Sequence, residues 1–175
     1  MSWFTKTQYS VVLGAKVVVV TSLGLGSVFV HASECPTAPT QCDYTQASFG
    51  QNTNLNANQT LCINAGTFNR NLNGLPATAT IYVAEGATFE PGTVNNPSGE
   101  LINCGTANLP NLSVNNGFKL RNFGTTNLNS SFNFNGSATI ENGEGATIKT
   151  KQGLSLRNSS TFKNRGTLDL SLIHI

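Results

Sequence analysis

The sequence predicts an all-β chain wound as a single-stranded right-handed parallel β-helix (β-solenoid) of about six rungs of ~20 residues. Three observations predict this fold. A nine-residue pattern recurs at a nearly constant interval, and short alternating polar and apolar segments fill the intervals. Turn dipeptides such as Asn116-Gly117 and Asn135-Gly136 separate the segments, and no stretch after residue 32 has a capped helical period.

The first 32 residues have the organisation of a secretory signal peptide. Lys6 and Lys16 lie ahead of an apolar run from Val17 to Val30, and Ala32 ends a small-residue cleavage site. The apolar run has 14 residues. A membrane span needs ~20, so we expect no membrane insertion once the leader is removed. The expected location is therefore extracellular or at the outer cell surface.

Charge and histidine content exclude several classes of function. Residues 33–169 contain eight basic and eight acidic residues, so the net charge of the mature region is zero. Without a polybasic region, nucleic acid is not an expected partner. His31 is removed with the signal peptide, and His174 lies among the last six residues. No Ser-His or Cys-His catalytic pair is therefore expected. We predict no catalytic residue, no cofactor and no metal site.

Residues 33–60 lie outside the repeat and are expected to cap the first rung, because an uncapped solenoid end is an open sheet edge. Four cysteines remain in the exported chain, where disulfides persist. Cys35 and Cys42 flank a proline-containing loop and are the expected pair. Cys62 and Cys104 either pair with each other or are small buried apolar residues. Spacing alone does not fix the connectivity.

Residues 61–169 carry the repeat. Four segments align without gaps, namely LINCGTANL from 101, LRNFGTTNL from 120, IENGEGATI from 140 and FKNRGTLDL from 162. Their first column, Leu101, Leu120, Ile140 and Phe162, is the predicted inward core stack. Their third column, Asn103, Asn122, Asn142 and Asn164, is a predicted asparagine ladder, because an amide both donates and accepts. Their ninth column is Leu109, Leu128, Ile148 and Leu170.

Outward positions and glycines complete the repeat. The second column ends in Arg121, Glu141 and Lys163, whose alternating sign suits neighbours on parallel rungs. The predicted turn glycines recur every 19 to 21 residues, and they are Gly66, Gly86, Gly105, Gly124, Gly145 and Gly166. IENGEGATI displaces its glycine, which indicates a bulge in that rung.

The last six residues, LSLIHI, match a translation of CTG TCT CTT ATA CAC ATC. That string resembles a transposon-end adapter of shotgun sequencing libraries. Residues 170–175 are therefore expected to be an artefact, and the natural chain is expected to continue beyond Asp169. A genuine apolar strand end is the alternative.

Two further classes of β-solenoid compete with a structural role. Pectin-lyase-like β-helix enzymes need clustered carboxylates, whereas the acids here are scattered; the matching Glu85 and Glu144 lie three rungs apart, ~14 Å. An ice-binding solenoid needs one threonine per rung in a single file. The residues after the repeat glycine are only partly threonine: Thr67, Ala87, Thr106, Thr125, Ala146 and Thr167.

The phrase CINAGTF followed by NxGT rungs, over residues 60–169, resembles the N-terminal region of large secreted surface proteins of Gram-negative bacteria. Those proteins are adhesin-like, Asn/Gly-rich solenoids, often with a C-terminal sorting domain. The resemblance implies a non-catalytic stalk or adhesive surface within a larger cell-surface protein, with surface glycans or matrix polymers as partners. The alternative is the scaffold part of a carbohydrate-active β-helix whose catalytic rungs are missing.

Overall fold

The computed structural model describes residues 10–13, 16–19, 34–50, 54–114, 117–130 and 132–170. The chain forms two compact units, Met1–Val30 and His31–Ile175. In the first unit, β1 (Ser10–Leu13) pairs antiparallel with β2 (Lys16–Val19). The rest of the predicted leader, with its cleavage site after Ala32, lies outside the described residues, and so do residues 171–175 of the predicted artefact.

The second unit is a parallel β-solenoid of about six turns, which confirms the predicted fold class; its right-handed sense stays a prediction. Each strand pairs in parallel with its equivalent one turn away. Sheet A contains β3 (Tyr44–Thr45), β4 (Thr60–Ile63), β6 (Thr80–Val83), β8 (Glu100–Asn103), β11 (Lys119–Asn122), β14 (Thr139–Asn142) and β17 (Thr161–Asn164).

Sheet B follows sheet A in every rung, and sheet C follows sheet B in rungs three, four and five. Sheet B contains β5 (Thr67–Phe68), β7 (Thr88–Phe89), β9 (Thr106–Leu109), β12 (Thr125–Leu128), β15 (Thr147–Thr150) and β18 (Thr167–Leu170). Sheet C contains β10 (Ser113–Val114), β13 (Phe132–Phe134) and β16 (Leu154–Leu156). Two isolated parallel bridges, Leu72 to Val94 and Leu75 to Pro97, continue sheet C toward the N-terminus. We number the rungs one to six from β4, β6, β8, β11, β14 and β17.

Alternation along each strand places apolar side chains inside the coil. The predicted core stack is present, because Leu101, Leu120, Ile140 and Phe162 are partners in register on sheet A. Leu61 and Ile81 extend it to six rungs. The first five members are at most 1% exposed, and Phe162 in the last described rung is half-buried. Each fully buried side chain of this size contributes ~1.5–3 kcal/mol of transfer free energy.

Aromatic rings fill the N-terminal end of the coil. Phe49, Phe68 and Phe89 follow one another at centroid separations of 5.6 Å, and Tyr44 meets Phe49 edge-on at 5.3 Å. Phe49 is fully buried although it precedes the first rung. Together with β3, which pairs with β4, this ring closes the coil above rung one.

The asparagine ladder is present and runs in one direction. Asn103 Nδ2 donates to Asn122 Oδ1, and Asn122 Nδ2 donates to Asn142 Oδ1, each at 2.8 Å. Asn142 Nδ2 donates in turn to Asn164 Oδ1 at 2.8 Å. Among the described residues, Asn103 Oδ1 is buried without a partner, because Val83 occupies the equivalent place in rung two and its side chain has no N–H to donate.

The predicted turn glycines are needed for two different reasons. Gly66, Gly86 and Gly145 have φ of 65°, 79° and 75°, the left-handed region that glycine occupies without strain. Gly105, Gly124 and Gly166 do not. A Cβ on Gly124 would collide with the carbonyl oxygen of Gly105, and the other two glycines face carbonyl oxygens of the preceding rung in the same way. All six predicted glycines lie in the connections between sheets A and B, but only Gly66, Gly86 and Gly145 use left-handed backbone.

The predicted Cys35–Cys42 pairing was wrong. The disulfides are Cys35–Cys104, with a Cα–Cα distance of 5.7 Å, and Cys42–Cys62, with 5.8 Å. Residues 34–43, which we call the N-terminal strap, run along the outer face of sheet A from rung three back to rung one. Cys104 and Cys62 are two rungs apart, ~10 Å, so the two strap cysteines that reach them cannot bond each other.

Candidate binding face

Sheet B presents an uninterrupted line of threonines on its outer surface. Thr106 pairs with both Thr88 and Thr125, and Thr147 pairs with both Thr125 and Thr167. Thr67 pairs with Thr88 and completes the line. We call these six residues the threonine file. Successive members lie one strand spacing apart, ~4.8 Å.

The side chains of the threonine file are available for binding. Each is exposed or half-exposed, while the next residue along the strand, such as Ala107 or Thr126, points inward and is buried. From Thr88 onward, the backbone N–H of each threonine in the file donates to a carbonyl oxygen of the preceding rung. Thr106 N, for example, donates to Ala87 O at 2.9 Å, and Thr125 N donates to Gly105 O at 2.9 Å. Within the described residues, none of the six hydroxyls has a hydrogen-bond partner, so each is free to donate and to accept.

A second outward line runs beside the threonine file, two residues further along each strand. Asn127 Nδ2 donates to Asn108 Oδ1 at 2.7 Å, and Asn108 Nδ2 donates to Glu90 Oε2 at 3.1 Å. Lys149 pairs in register with Asn127, and Asp169 pairs with Lys149. We call these five residues the amide file, and the two files together the sheet B face. Its hydrogen-bonded amides hold one another in place, which pre-orders the surface.

The complete threonine file was missed in the sequence because the gapless alignment was wrong for two rungs. Turns of two residues join sheets A and B in rungs three, four and six, whereas residues 84–87 and 143–146 form turns of four. The extra residues move Thr88 and Thr147 into the places assigned to Ala87 and Ala146. They also place Thr150 in register with Leu128 and move Ile148 out of the predicted ninth column. The shared pattern EGAT in both rungs was the available signal.

The outer face of sheet A is divided into a covered half and a charged half. Under the strap, Cys62, Tyr82 and Cys104 form a second apolar cluster, and the Tyr82 hydroxyl donates to Pro36 O at 3.4 Å. Burial there raises the pKa of Tyr82 above its ordinary value of 10.0. The same outward column becomes charged beyond the strap, where Arg121 and Glu141 succeed Ile102.

The charged half of sheet A is largely neutralised within itself. Arg121 lies 3.7 Å from Glu100 and 3.5 Å from Glu141, and Glu141 also contacts Arg165 at 2.8 Å. The second partner of Glu141 is thus Arg165, which replaces the expected Lys163. Arg121 also lies over the Phe123 ring at 5.3 Å. Such half-exposed pairs contribute ~0–1 kcal/mol each, so they agree with the register without dominating stability.

The remaining charged residues do not converge. Lys149 belongs to sheet B and Lys163 to sheet A, and Arg157 follows sheet C. Glu85 and Glu144 are on the turns of rungs two and five. Among the described residues, no group of three or more His, Cys, Asp and Glu side chains is placed to hold a metal ion.

Two open clefts lie near the N-terminal end of the solenoid. One, of about 300 Å³, is lined by Gln46, Asn64 and Arg70 among others; the second, of about 450 Å³, is lined by Asn54, Asn73 and Asn96 among others. The described residues that line them include no paired acid and base. The sheet B face is therefore the most regular array of hydrogen-bonding groups in the described part of the chain.

Comparison with known proteins gives no relative. The chain matches no family model, no curated protein and no solved structure. The described residues form no helix of the length and apolar character that a membrane crossing requires. The two disulfides are characteristic of an extracellular or otherwise oxidising environment.

Proposed function

We propose that this protein is a secreted, non-catalytic β-solenoid module of a cell-surface protein, serving as a stalk or adhesion surface. The sheet B face carries the proposal, because its threonine file repeats the same hydroxyl group on six rungs and nothing in the described chain covers it. Many weak equivalent contacts give useful adhesion through multivalency. Disulfide bonding of the strap to rungs one and three supports an extracellular role.

Rigidity also supports a stalk. Every rung is bonded to the next by parallel ladders, and the asparagine ladder ties rungs three to six through their interior. A solenoid of this kind transmits force along its axis through many backbone hydrogen bonds acting together. Partners are then surface glycans or matrix polymers, which offer hydroxyl groups in repeating order.

The proposal is tested by incubating the purified protein with an array of glycans, and by assaying release of reducing ends and unsaturated products from the same polymers. We expect binding without product release. Product release at a rate proportional to protein concentration contradicts the non-catalytic role and favours the carbohydrate-active β-helix. Binding to no glycan or matrix polymer contradicts the adhesive role.

A further inference from the structure

The outer faces of the solenoid differ in what remains free to bind. Sheet A is covered by the strap in its first rungs, and beyond them its carboxylates Glu100 and Glu141 are engaged by Arg121 and Arg165. Sheet B has no such cover in the described chain. Its six threonine hydroxyls, spaced one per rung, lie in register and have no hydrogen-bond partner among the described residues.

The spacing of the threonine file limits the shape of a ligand. A partner that uses every hydroxyl must itself repeat a polar group about every 4.8 Å along a straight line. The length of one pyranose unit in an extended β-linked chain is close to the spacing between adjacent rungs. Such a chain, lying parallel to the solenoid axis, offers each threonine a sugar hydroxyl, which both donates and accepts.

The charge of the sheet B face limits the chemistry of the ligand. Lys149 is its one cation, and Glu90 and Asp169 are its two anions. An acidic polymer gains little from such a surface, and a polybasic one would find only two acids, at opposite ends. The outward residues of the two files include no aromatic ring, whereas Phe68 and Phe89 point inward. The ligand therefore presents hydroxyl edges rather than the flat apolar faces of its sugars.

We propose that the sheet B face binds a neutral, extended, β-linked polysaccharide along the solenoid axis, with about one sugar ring per rung. This inference rests on the proposed adhesive function and names its ligand class. The threonine file supplies one hydroxyl contact per ring, and the amides of Asn108 and Asn127 supply a second line of contacts beside it. Ice is another regularly repeating hydrogen-bonding lattice. The charges of Glu90, Lys149 and Asp169 interrupt the uncharged surface that binding to ice requires.

The test compares adsorption of the purified full chain to suspensions of microcrystalline cellulose, chitin and a linear β-1,4-mannan. The variant T106V/T125V removes two central hydroxyls and keeps the side-chain shape. Valine suits a strand, so the variant should fold. We expect its apparent affinity to fall about tenfold. The variant T106S/T125S keeps the hydroxyls and should bind nearly as well as the natural chain.

The matched control is T60V/T80V, which alters two paired, half-exposed threonines on sheet A in adjacent rungs. It should bind like the natural chain. Equal binding by T106V/T125V overturns the sheet B assignment and leaves the adhesive function standing. If the natural chain binds glycans on the array but none of the three neutral polymers, the ligand class is overturned and adhesion stands. Inhibition of ice recrystallisation that T106V/T125V abolishes, without polysaccharide adsorption, overturns the proposal in favour of ice.

Discussion

Asn122 illustrates how a polar side chain stabilises the interior of the solenoid. It is fully buried, accepts from Asn103 Nδ2 and Thr126 Oγ1, and donates to Asn142 Oδ1 at 2.8 Å and to Thr147 O at 3.0 Å. A buried amide without partners would destabilise the fold, because its desolvation is not offset. Here the acceptor of the amide is satisfied by rungs three and four, and its donors are satisfied by rung five.

Replacing Asn122 with alanine should lower the free energy of unfolding by about 3 kcal/mol, because the partners of the amide remain buried without it. Asn127→Ala is the matched control; it removes an equivalent inter-rung amide bond on the half-exposed outer face, where water replaces it. We expect a loss below ~1 kcal/mol for the control. Urea denaturation followed by circular dichroism measures both, and equal losses would contradict an interior ladder.

Two buried threonines in adjacent rungs should respond oppositely to the same substitution. Thr126 Oγ1 donates to Asn122 Oδ1 at 2.9 Å, whereas Thr150 Oγ1 is buried and has no partner among the described residues. Thr150→Val should therefore raise the free energy of unfolding by about 1 kcal/mol, and Thr126→Val should lower it by about the same amount or more. Thermal melts of the two variants check the signs, and a loss for Thr150→Val would show that its hydroxyl has a partner.

Gly124 and Gly74 form a matched pair that tests the close packing of successive rungs independently of left-handed backbone. Neither has positive φ, but a Cβ on Gly124 would meet the backbone of Gly105 and Cys104, while one on Gly74 would meet nothing within 4 Å. Gly124→Ala should lower the free energy of unfolding by about 3 kcal/mol through overpacking against backbone. Gly74→Ala should cause no loss. Similar melting temperatures for the two variants would contradict the close approach of rungs three and four.

At the scale of elements, the strap explains a change of character along the outer column of sheet A. The column reads Cys62, Tyr82 and Ile102 in rungs one to three and becomes charged from Arg121 onward. Apolar side chains occur where residues 34–43 cover them, and charged ones where water does. The apolar part of the column therefore spans the same three rungs that the strap covers.

Removing the longer disulfide should release the strap from Tyr82. The variant C35S/C104S opens a link between residues 69 positions apart and should lower the free energy of unfolding by ~2–5 kcal/mol. Exposure should also lower the Tyr82 pKa toward 10.0, because burial raises it in the intact protein. Alkaline titration of phenolate absorbance measures this pKa, with Tyr82→Phe identifying its contribution.

The sign of the related pH dependence follows from the raised Tyr82 pKa. The folded state holds the phenolic proton more tightly than the unfolded chain does. The stability from this group is therefore fully present below pH ~10 and is lost as the pH rises through the folded-state pKa. A Tyr82 titration that is unchanged in C35S/C104S would contradict the covering role of the strap.

The elements differ in how far the sequence alone could predict them. The core stack and asparagine ladder follow from the NxG repeat, because residues with the same role recur in rungs of similar length. The register of sheet B does not, since the turns between sheets A and B have two, three or four residues in different rungs, and a fixed count from the repeat glycine hides Thr88 and Thr147. The disulfides could not be predicted either, because they depend on where a non-repeating strap crosses sheet A.

Across the whole solenoid, the repeated surface and interior features require that the chain wind in one direction. Parallel stacking creates the threonine file, the amide file and the interior ladder together, because each is a single sequence position repeated once per turn. An antiparallel β-sandwich with the same residues would scatter them. The proposed adhesive function and its polysaccharide ligand therefore both require in-register rungs.

The most direct test is a pair of distances measured by double electron–electron resonance. The spin labels are attached to ketone-bearing unnatural amino acids, so the four cysteines stay disulfide-bonded. One labelled residue replaces Thr67, and the second replaces either Thr147 or Thr167. The solenoid predicts backbone separations of about 19 Å for four rungs and about 24 Å for five, an increase of one strand spacing. Separations that fail to lengthen from Thr147 to Thr167, or that match neither value, would contradict in-register parallel winding.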